Sequence, residues 1–253
     1  ILHDFMDVHP YTKKAHKPIE ESKFNALEYG WATYKAIRYK KKLRNYYKSK
    51  ASPPDYSTPY VFFALHYQPE ATSCPSGGIY VDQYLAVELI AANLPAGWKV
   101  YVKEHVTQFN TIGEGQKARF KHLYSDLLKI KNVQLVPLEL NSFSLIDNAG
   151  AVATLTGTAG WEAVARGKPV IIFGQSWYEA CHGVFRVREH NDCKMLAQFI
   201  ASYRPDEKAV LNYLLAIQKN APMSYTYVGA TGRDAVGEEN CITNITMQIK
   251  GAI

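Results

Sequence analysis

Residues 156–160 read Thr-Gly-Thr-Ala-Gly and stand between a short apolar run and a segment of helical composition. Glycine lets the backbone approach a ligand closely, and threonine hydroxyls and free amides can donate to phosphate oxygens. Thr156, Gly157, Thr158 and Gly160 are therefore candidate phosphate ligands. The alternative is an ordinary turn in which Thr158 caps a packed helix.

The helix that follows this turn carries one acidic residue near its start. If Thr158 is the N-cap, a capping-box acid belongs at position 161, which is occupied by Trp161. Glu162 misses that position. Its carboxylate is therefore available for another role, such as accepting hydrogen bonds from the two hydroxyls of a ribose.

A second candidate cluster is Lys103-Glu104-His105, which closes a β-prone run. A cation and an imidazole at the end of a strand suit a departing anionic group. We therefore take Lys103 as a phosphate ligand and His105 as a catalytic candidate. The alternative for the histidine is a packing role.

The third cluster is a long polar loop, residues 66–78, with the sequence HYQPEATSCPSGG. Glu70 is a candidate general acid or base, and its alternative is a surface carboxylate beside a proline. His66 is a candidate phosphate ligand. Gly77 and Gly78 would either let a sugar or phosphate come close to the backbone or act as a hinge.

The sequence lacks the motifs of several common ligand-binding sites. The sequence has no Gly-x-Gly-x-x-Gly fingerprint, no Walker loop and no Asp-x-Asp pair, so we expect no metal-chelated pyrophosphate and no separate cofactor. Its four cysteines lie far apart without a Cys-x-x-Cys pair, a pattern that favours reduced thiols over a zinc site or disulfides.

Apolar β-prone runs alternate with helical segments, which predicts an α/β fold with a Rossmann-like parallel sheet and helices on both faces. We expect strands at 60–67, 98–103, 133–137, 151–155, 169–174 and 183–187. We expect helices at 81–93, 116–130, 143–148, 160–166, 193–203, 206–219 and 238–250. Because ligands bind at the carboxyl edge of such sheets, the three polar clusters should meet there.

The sequence divides near a proline pair. Residues 1–18 are polar and irregular, a long helix is expected over 19–49, and Ser-Pro-Pro-Asp at 52–55 ends it. We therefore predict an N-terminal segment with a basic connecting helix at 1–55 and a Rossmann-like domain with C-terminal helices at 56–253. The chain begins with isoleucine, which favours a processed or partial chain.

The basic charge is concentrated in one segment. The net charge is +6, yet the stretch from Lys35 to Lys50 holds eight of the 29 Lys and Arg residues and no acid. Such a stretch is either a solvated helix face or a surface that contacts anionic lipid. Nucleic acid is a third alternative, but no nucleic-acid motif accompanies the stretch. No signal peptide and no run of roughly 18 apolar residues is present. We expect a cytoplasmic protein, peripheral at the inner face of the plasma membrane.

Three stretches together resemble the bacterial capsule polysaccharide and surface-carbohydrate biosynthesis family, which includes Kdo transferases. They are LHYQPEATSCPSGGIYVDQ, LPAGWKVYVKEH and TGTAGWEAVARGKPVIIFGQSWY, spread over residues 60–178. The resemblance implies a GT-B glycosyltransferase, in which two Rossmann-like domains face a cleft. This sequence is similar to the C-terminal, donor-binding domain.

The resemblance also implies roles for individual residues. His105 would contact the donor phosphate or nucleotide, Thr156 and Thr158 would hold the phosphate, and Glu162 would lie on the nucleotide side. The family has Lys-Glu-His-Pro where this sequence has Val106 in place of proline. We therefore expect a looser turn after His105. An acceptor-binding domain before residue 60 would be missing or reduced to a helix.

The function hypothesis is therefore a glycosyltransferase, or its donor-binding domain, that uses a nucleotide-activated sugar such as a CMP-linked one. Its acceptor would be a saccharide or a glycolipid of a bacterial surface polysaccharide. One alternative is a CDP-glycerol-type glycerophosphotransferase. A nucleotide-sugar epimerase is another possibility with the same fold, but this sequence lacks the carboxylate and histidine set that would support it. A different class is a noncatalytic module that docks on a membrane or partner through Lys35 to Lys50.

Overall fold

The computed structural model describes residues 26–111 and 113–220, which fold around a six-stranded sheet. The strands are β1 (Tyr60–Ala64), β2 (Lys99–Lys103), β3 (Val133–Leu135), β4 (Ala151–Thr154), β5 (Val170–Ile172) and β6 (Val184–Arg186). The helices are α1 (Ala26–Lys50), α2 (Gln83–Asn93), α3 (Lys121–Leu127), α4 (Ser142–Asn148), α5 (Thr158–Val164), α6 (Leu196–Ser202) and α7 (Glu207–Asn220). Short 3₁₀ helices lie at Gly78–Val81, Val106–Phe109, Gly115–Lys117 and His190–Met195.

All neighbouring strands are parallel, and their order is β3-β2-β1-β4-β5-β6. The chain therefore builds outward from β1 to β3, returns to the other side of β1, and builds outward again. The reversal creates a crevice between the carboxyl ends of β1 and β4, where ligands bind in sheets of this kind. The predicted α/β, Rossmann-like fold is confirmed.

The strands are apolar because both faces of the sheet are covered. Along β1, Val61 and Phe63 pack on one face with α1, α2, α3 and α6, whereas Tyr60 and Phe62 pack on the other face with α4 and α5. α7 adds partly buried side chains to the second face. No helix in the described ranges is long and apolar enough to cross a membrane.

Some predicted bounds differ from those observed. The strand expected at 60–67 ends at Ala64, and the helix expected at 116–130 is a 3₁₀ turn followed by a short α3. The interruption contains Arg119, whose side chain turns into the protein and is 1% exposed. The division at residue 55 stays a prediction, and the helix expected at 238–250 and the irregular segment 1–18 lie outside the described residues. Leu43 and Tyr47 of α1 are buried in the main core.

Candidate functional site

A cavity of about 270 Å³ opens at the crevice between β1 and β4. Its walls come from the loops after β1, β2 and β4, so the three polar clusters meet as the sequence predicts. The predicted site residues that line it are His66, Glu70, His105, Thr156, Gly157 and Thr158. Tyr67, Thr72 and Thr154 complete its polar lining.

His66 lies at the base of this cavity and is 7% exposed. Its Nε2 accepts a hydrogen bond of 3.1 Å from the Thr156 amide and lies 2.9 Å from Thr154 Oγ1. An amide can donate only to an unprotonated ring nitrogen, so the neutral ring carries its proton on Nδ1. Burial lowers the pKa of His66 to about 4, with further lowering by the nearby His105 and Arg119. His66 is therefore a neutral hydrogen-bonding group at neutral pH.

His105 is exposed at the cavity wall, and its ring orientation is fixed by its own turn. It is the N-cap of the Val106–Phe109 helix, where Nδ1 accepts from the Thr107 amide at 3.3 Å and lies 2.7 Å from the Thr107 hydroxyl. This leaves the proton of the neutral ring on Nε2. We expected a loose turn here because Val106 replaces a proline. The structure instead shows an ordered turn, because Thr107 holds the imidazole.

The two threonines of residues 156–160 differ. The Thr156 hydroxyl donates to the Thr72 carbonyl at 2.7 Å, so it joins two loops. Thr158 is exposed, and its hydroxyl has no hydrogen-bond partner in the described part of the chain. The N-cap of α5 is Gly157 with no side-chain cap, so the expectation that Thr158 caps the helix is wrong. As the first residue of α5, Thr158 keeps its hydroxyl available.

Gly157 and Gly160 are required by packing. A Cβ at Gly157 would lie 3.1 Å from His66 Nε2 and 2.9 Å from Thr154 Oγ1. A Cβ at Gly160 would overlap the Tyr178 hydroxyl, which donates to the Gly157 carbonyl at 2.6 Å. Gly157 therefore lines the cavity, whereas Gly160 allows Tyr178 to hold the turn from behind.

Four other predicted ligands do not line the cavity. Lys103 is buried and donates to Ser142 Oγ at 2.9 Å, and burial lowers the pKa of its ammonium. Gly77 is buried, and its amide donates to the Ser73 carbonyl, while Gly78 is exposed with φ of 56°. Glu162 is half-buried one turn into α5 and has no partner among the described residues.

Glu70 is exposed at the mouth of the cavity. Its carboxylate accepts a hydrogen bond of 2.9 Å from Thr72 Oγ1, and its carbonyl accepts the amide and hydroxyl of Ser73. The loop is thereby closed into a turn that directs the carboxylate toward the opening. Of the described residues that line this cavity, Glu70 is the one acidic residue.

A buried ion pair behind the cavity was not predicted. Arg119 contacts Glu104 and also donates to the His66 carbonyl at 2.6 Å and to Gln68 Oε1 at 2.8 Å. Glu104 in turn accepts the His105 amide at 2.8 Å and the Tyr124 hydroxyl at 2.5 Å. The pair therefore joins the loop after β1 to the loop after β2. An arginine in a segment of helical spacing gives no sequence signal for such burial.

Two glutamines complete the support of the first loop. Gln83 Oε1 accepts the His66 amide at 2.8 Å, and its Nε2 donates to the His66 carbonyl at 3.2 Å. Gln108 pairs with Gln68 in the same way, at 2.9 Å for each bond. Each side-chain amide replaces a strand neighbour, so the backbone past Ala64 has its polar groups satisfied without belonging to the sheet. Within the described ranges, no group of three or more His, Cys, Asp or Glu residues is placed to hold a metal ion.

The fold and cavity define a Rossmann-like domain with a ligand crevice at the strand-order reversal. The profile of the capsule polysaccharide biosynthesis protein family matches residues 3–220, and the chain belongs to this family. The resemblance read from the three loops is thereby confirmed. A comparison with curated protein sequences gave no significant match.

Solved structures with a similar fold include two transferases and an epimerase. The Thermosulfurimonas dismutans KpsC beta Kdo 2,7 transferase has 14% identity and a TM-score of 0.41, with 72% of this chain and 61% of that chain covered. The beta Kdo 2,4 transferase of the same protein has 18% identity and a TM-score of 0.38, with 72% and 63% covered. The Methanocaldococcus jannaschii UDP-GlcNAc 2-epimerase has 14% identity and a TM-score of 0.43, with 74% and 53% covered. This chain thus spans less than two thirds of each of them.

Proposed function

We propose that this chain binds a nucleotide-activated sugar in the crevice between β1 and β4 and serves as the donor-binding part of a glycosyltransferase. The product would be part of a bacterial capsule or surface polysaccharide, in line with the family to which the chain belongs. The observation that carries the proposal is the convergence of His66, His105 and Thr158 on one cavity at the strand-order reversal.

The cavity offers hydrogen-bond donors for a phosphate group. The His105 Nε2–H and the Thr158 hydroxyl are both unengaged in the described structure, and the His66 ring carries its proton on Nδ1. Lys103 is directed to Ser142, so the phosphate charge would fall on imidazole, hydroxyl and backbone groups. The neutral His105 ring would donate its Nε2 proton in a hydrogen bond to the leaving phosphate as negative charge develops there.

The reaction we propose is a displacement at the anomeric carbon of the sugar. The bond from that carbon to the phosphate oxygen breaks, and its electron pair stays on the nucleotide phosphate. The acceptor hydroxyl forms the new bond and gives its proton to a base. Glu70 is the candidate for that base, because its carboxylate lies at the cavity mouth where an acceptor would approach.

The volume of the cavity indicates which parts of the nucleotide-sugar would lie inside it. A volume of about 270 Å³ suits the phosphate and sugar and is small for a whole nucleotide-sugar. The nucleoside would therefore extend along α5, where the half-buried Glu162 can accept from ribose hydroxyls. A CMP-linked sugar remains the proposed donor type, with no separate cofactor, and a saccharide or glycolipid the proposed acceptor.

Contact with an anionic membrane is a further part of the proposal. Seven of the eight basic side chains from Lys35 to Lys50 are exposed, the exception being Lys40. Trp31 and Tyr34, which are 58% and 47% exposed, lie on the same helix and stack on each other at 5.5 Å. Basic and aromatic side chains together suit the headgroup region of a cytoplasmic membrane face.

The proposal is tested by titrating the chain with CMP, UDP, their sugars and CDP-glycerol in a calorimeter. We expect binding of at least one nucleotide-sugar and weaker binding in Thr158→Val. Thr33→Val, the same substitution on α1, is the matched control and should leave the affinity unchanged. Binding of CDP-glycerol alone would favour the glycerophosphotransferase, and the absence of any nucleotide binding would contradict the proposal.

A further inference from the structure

A second cavity lies near the far end of the segment that begins at His105. It is a groove of about 340 Å³ between α1 and residues 109–111. One wall is a helical stripe of α1 at i, i+3, i+4, i+7, i+8 and i+11, and the other is formed by Phe109 and Thr111. The stripe consists of Ile37, Lys40, Lys41, Arg44, Asn45 and Lys48.

Lys40 holds the two walls of this groove together. It is 2% exposed, and its ammonium donates to the Thr111 carbonyl at 2.8 Å and to the Gly113 carbonyl at 3.0 Å. A lysine that is buried in this way serves a built structure rather than a solvated helix face. The groove is therefore fixed by the fold.

The other cations of the groove are less engaged. Lys48 forms an exposed ion pair with Glu139 at one end. Lys41 and Arg44 are exposed and form no direct ion pair in the described part of the chain, although the charge of Arg44 helps to lower the pKa of Glu139. Among the described residues, four cationic side chains thus line the groove and no acidic one does. Opposed by a single acid at the rim, they produce a local positive potential that a compact anion would neutralise.

We propose that this groove is a binding site for a phosphate group, separate from the cavity that would take the donor. Lys41 and Arg44 would contact the phosphate directly, because Lys40 is engaged by backbone carbonyls and Lys48 by the ion pair with Glu139, and the arginine fork matches phosphate oxygens. Lys40 would act through the walls that it holds. A soluble phosphorylated saccharide and a phospholipid headgroup share this chemistry.

The groove is joined to the donor cavity through the chain itself. Phe109 ends the 3₁₀ helix that His105 caps, and Thr111 follows two residues later. A phosphate in the groove and a donor in the cavity would thus bind at the two ends of one short segment. The role of the groove as the place of an acceptor phosphate rests on the proposed glycosyltransferase function, whereas phosphate binding itself does not.

The test is a calorimetric titration with inorganic pyrophosphate at low ionic strength. We compare the wild type with a groove variant, Lys41→Gln with Arg44→Gln, and with a matched variant, Lys42→Gln with Lys50→Gln. The matched variant loses the same charge from the same helix, but its residues do not line the groove. We expect about tenfold weaker binding in the groove variant and less than about twofold change in the matched variant.

Thr158→Val separates this proposal from the proposed function. Pyrophosphate binding that survives in Thr158→Val and is lost in the groove variant supports the groove. Binding that is lost only in Thr158→Val places pyrophosphate in the donor cavity and overturns the groove proposal while leaving the donor proposal intact. Equal weakening in the groove and matched variants, with unchanged melting temperatures, would show diffuse attraction and also overturn it.

Vesicles of phosphatidylglycerol identify the source of the phosphate. Sedimentation of the wild type and the matched variant, but not of the groove variant, would assign a lipid headgroup. Pyrophosphate binding with the expected discrimination and no sedimentation with vesicles would assign a soluble phosphorylated ligand. If neither pyrophosphate nor vesicles bind, the groove is not a phosphate site.

Discussion

The Arg119 guanidinium lies 2.7 Å from the Glu104 carboxylate, from Nε to Oε2, and the two side chains are 1% and 0% exposed. The middle residue of Lys103-Glu104-His105 is thus the anchor of a buried ion pair, and only its neighbour His105 reaches the cavity. Because Arg119 also donates to the His66 carbonyl, one guanidinium sets the position of both histidines.

Removal of this guanidinium should be costly. Arg119→Met leaves the Glu104 charge buried without its partner, so we expect a loss of about 3–5 kcal/mol in the free energy of unfolding. Arg166→Met breaks the exposed pair with Asp147, also at 2.7 Å, and should cost about 1 kcal/mol or less. Urea denaturation of both variants measures the difference. Similar losses of unfolding free energy in the two variants would mean that the buried ion pair stabilises the protein no more than the exposed one.

The stability of the protein should depend on His66 at mildly acidic pH. Its folded pKa of about 4 lies below the ordinary value of 6.5, so the unfolded chain binds more protons between these values. The stabilising contribution is complete above pH 6.5 and falls as the pH drops toward 4. One pKa unit corresponds to about 1.4 kcal/mol, so the difference between 6.5 and about 4 corresponds to a loss on the order of 3–4 kcal/mol once the pH is below 4.

Denaturation curves of the wild type and of His66→Gln across this pH range measure that contribution. The variant should lack the His66 part of the slope. A wild-type slope that is retained in His66→Gln would assign the acid sensitivity to other groups.

The glycine of α5 that faces Tyr178 should not tolerate a methyl group. In Gly160→Ala the new Cβ would overlap the Tyr178 hydroxyl and lie 2.9 Å from ring carbon Cζ, so we expect destabilisation of about 1–3 kcal/mol. Gly30→Ala is the control, because nothing lies within 4 Å of its Cβ position on α1. That substitution should stabilise the protein by about 0.4–1 kcal/mol. Thermal melting of the two variants should therefore shift in opposite directions.

Thr158→Val should weaken nucleotide-sugar binding by about 1–2 kcal/mol, the scale of a hydrogen bond to a charged group. Because the hydroxyl has no partner in the described structure, the melting temperature should change little. Calorimetric titration and a thermal melt separate the two effects. An unchanged affinity in a folded variant would return Thr158 to the role of an ordinary surface residue.

His105→Ala should impair donor binding more than it impairs stability, because the ring is exposed and its bonds are confined to Thr107. We expect about tenfold weaker nucleotide-sugar affinity, since a phosphate donor is removed. Titration and melting are measured on the same preparation. A fall in melting temperature that accounts for the lost binding would assign the histidine to packing.

The fold and the meeting of three loops could be predicted because they follow from local patterns. Apolar runs between helices imply parallel strands, and parallel strands share a carboxyl edge. The roles of Lys103 and Arg119 could not be predicted in this way. The face of the sheet to which Lys103 points, and the burial of Arg119, depend on partners 39 and 15 residues away in sequence. Gly157 rather than Thr158 is the N-cap of α5, and a Cβ at Gly157 would meet Thr154 and His66, two contacts that the local sequence does not reveal.

The two hydrogen bonds between the side-chain amide of Gln108 and the backbone of Gln68 have a further consequence. Gln108 also donates to the Gly115 carbonyl, so three loop segments share one side-chain amide. Loops that are crosslinked in this way are already ordered before any ligand arrives, and little conformational entropy remains to be lost on binding. We therefore expect a preorganised crevice whose affinity depends on the groups displayed at its rim rather than on loop closure.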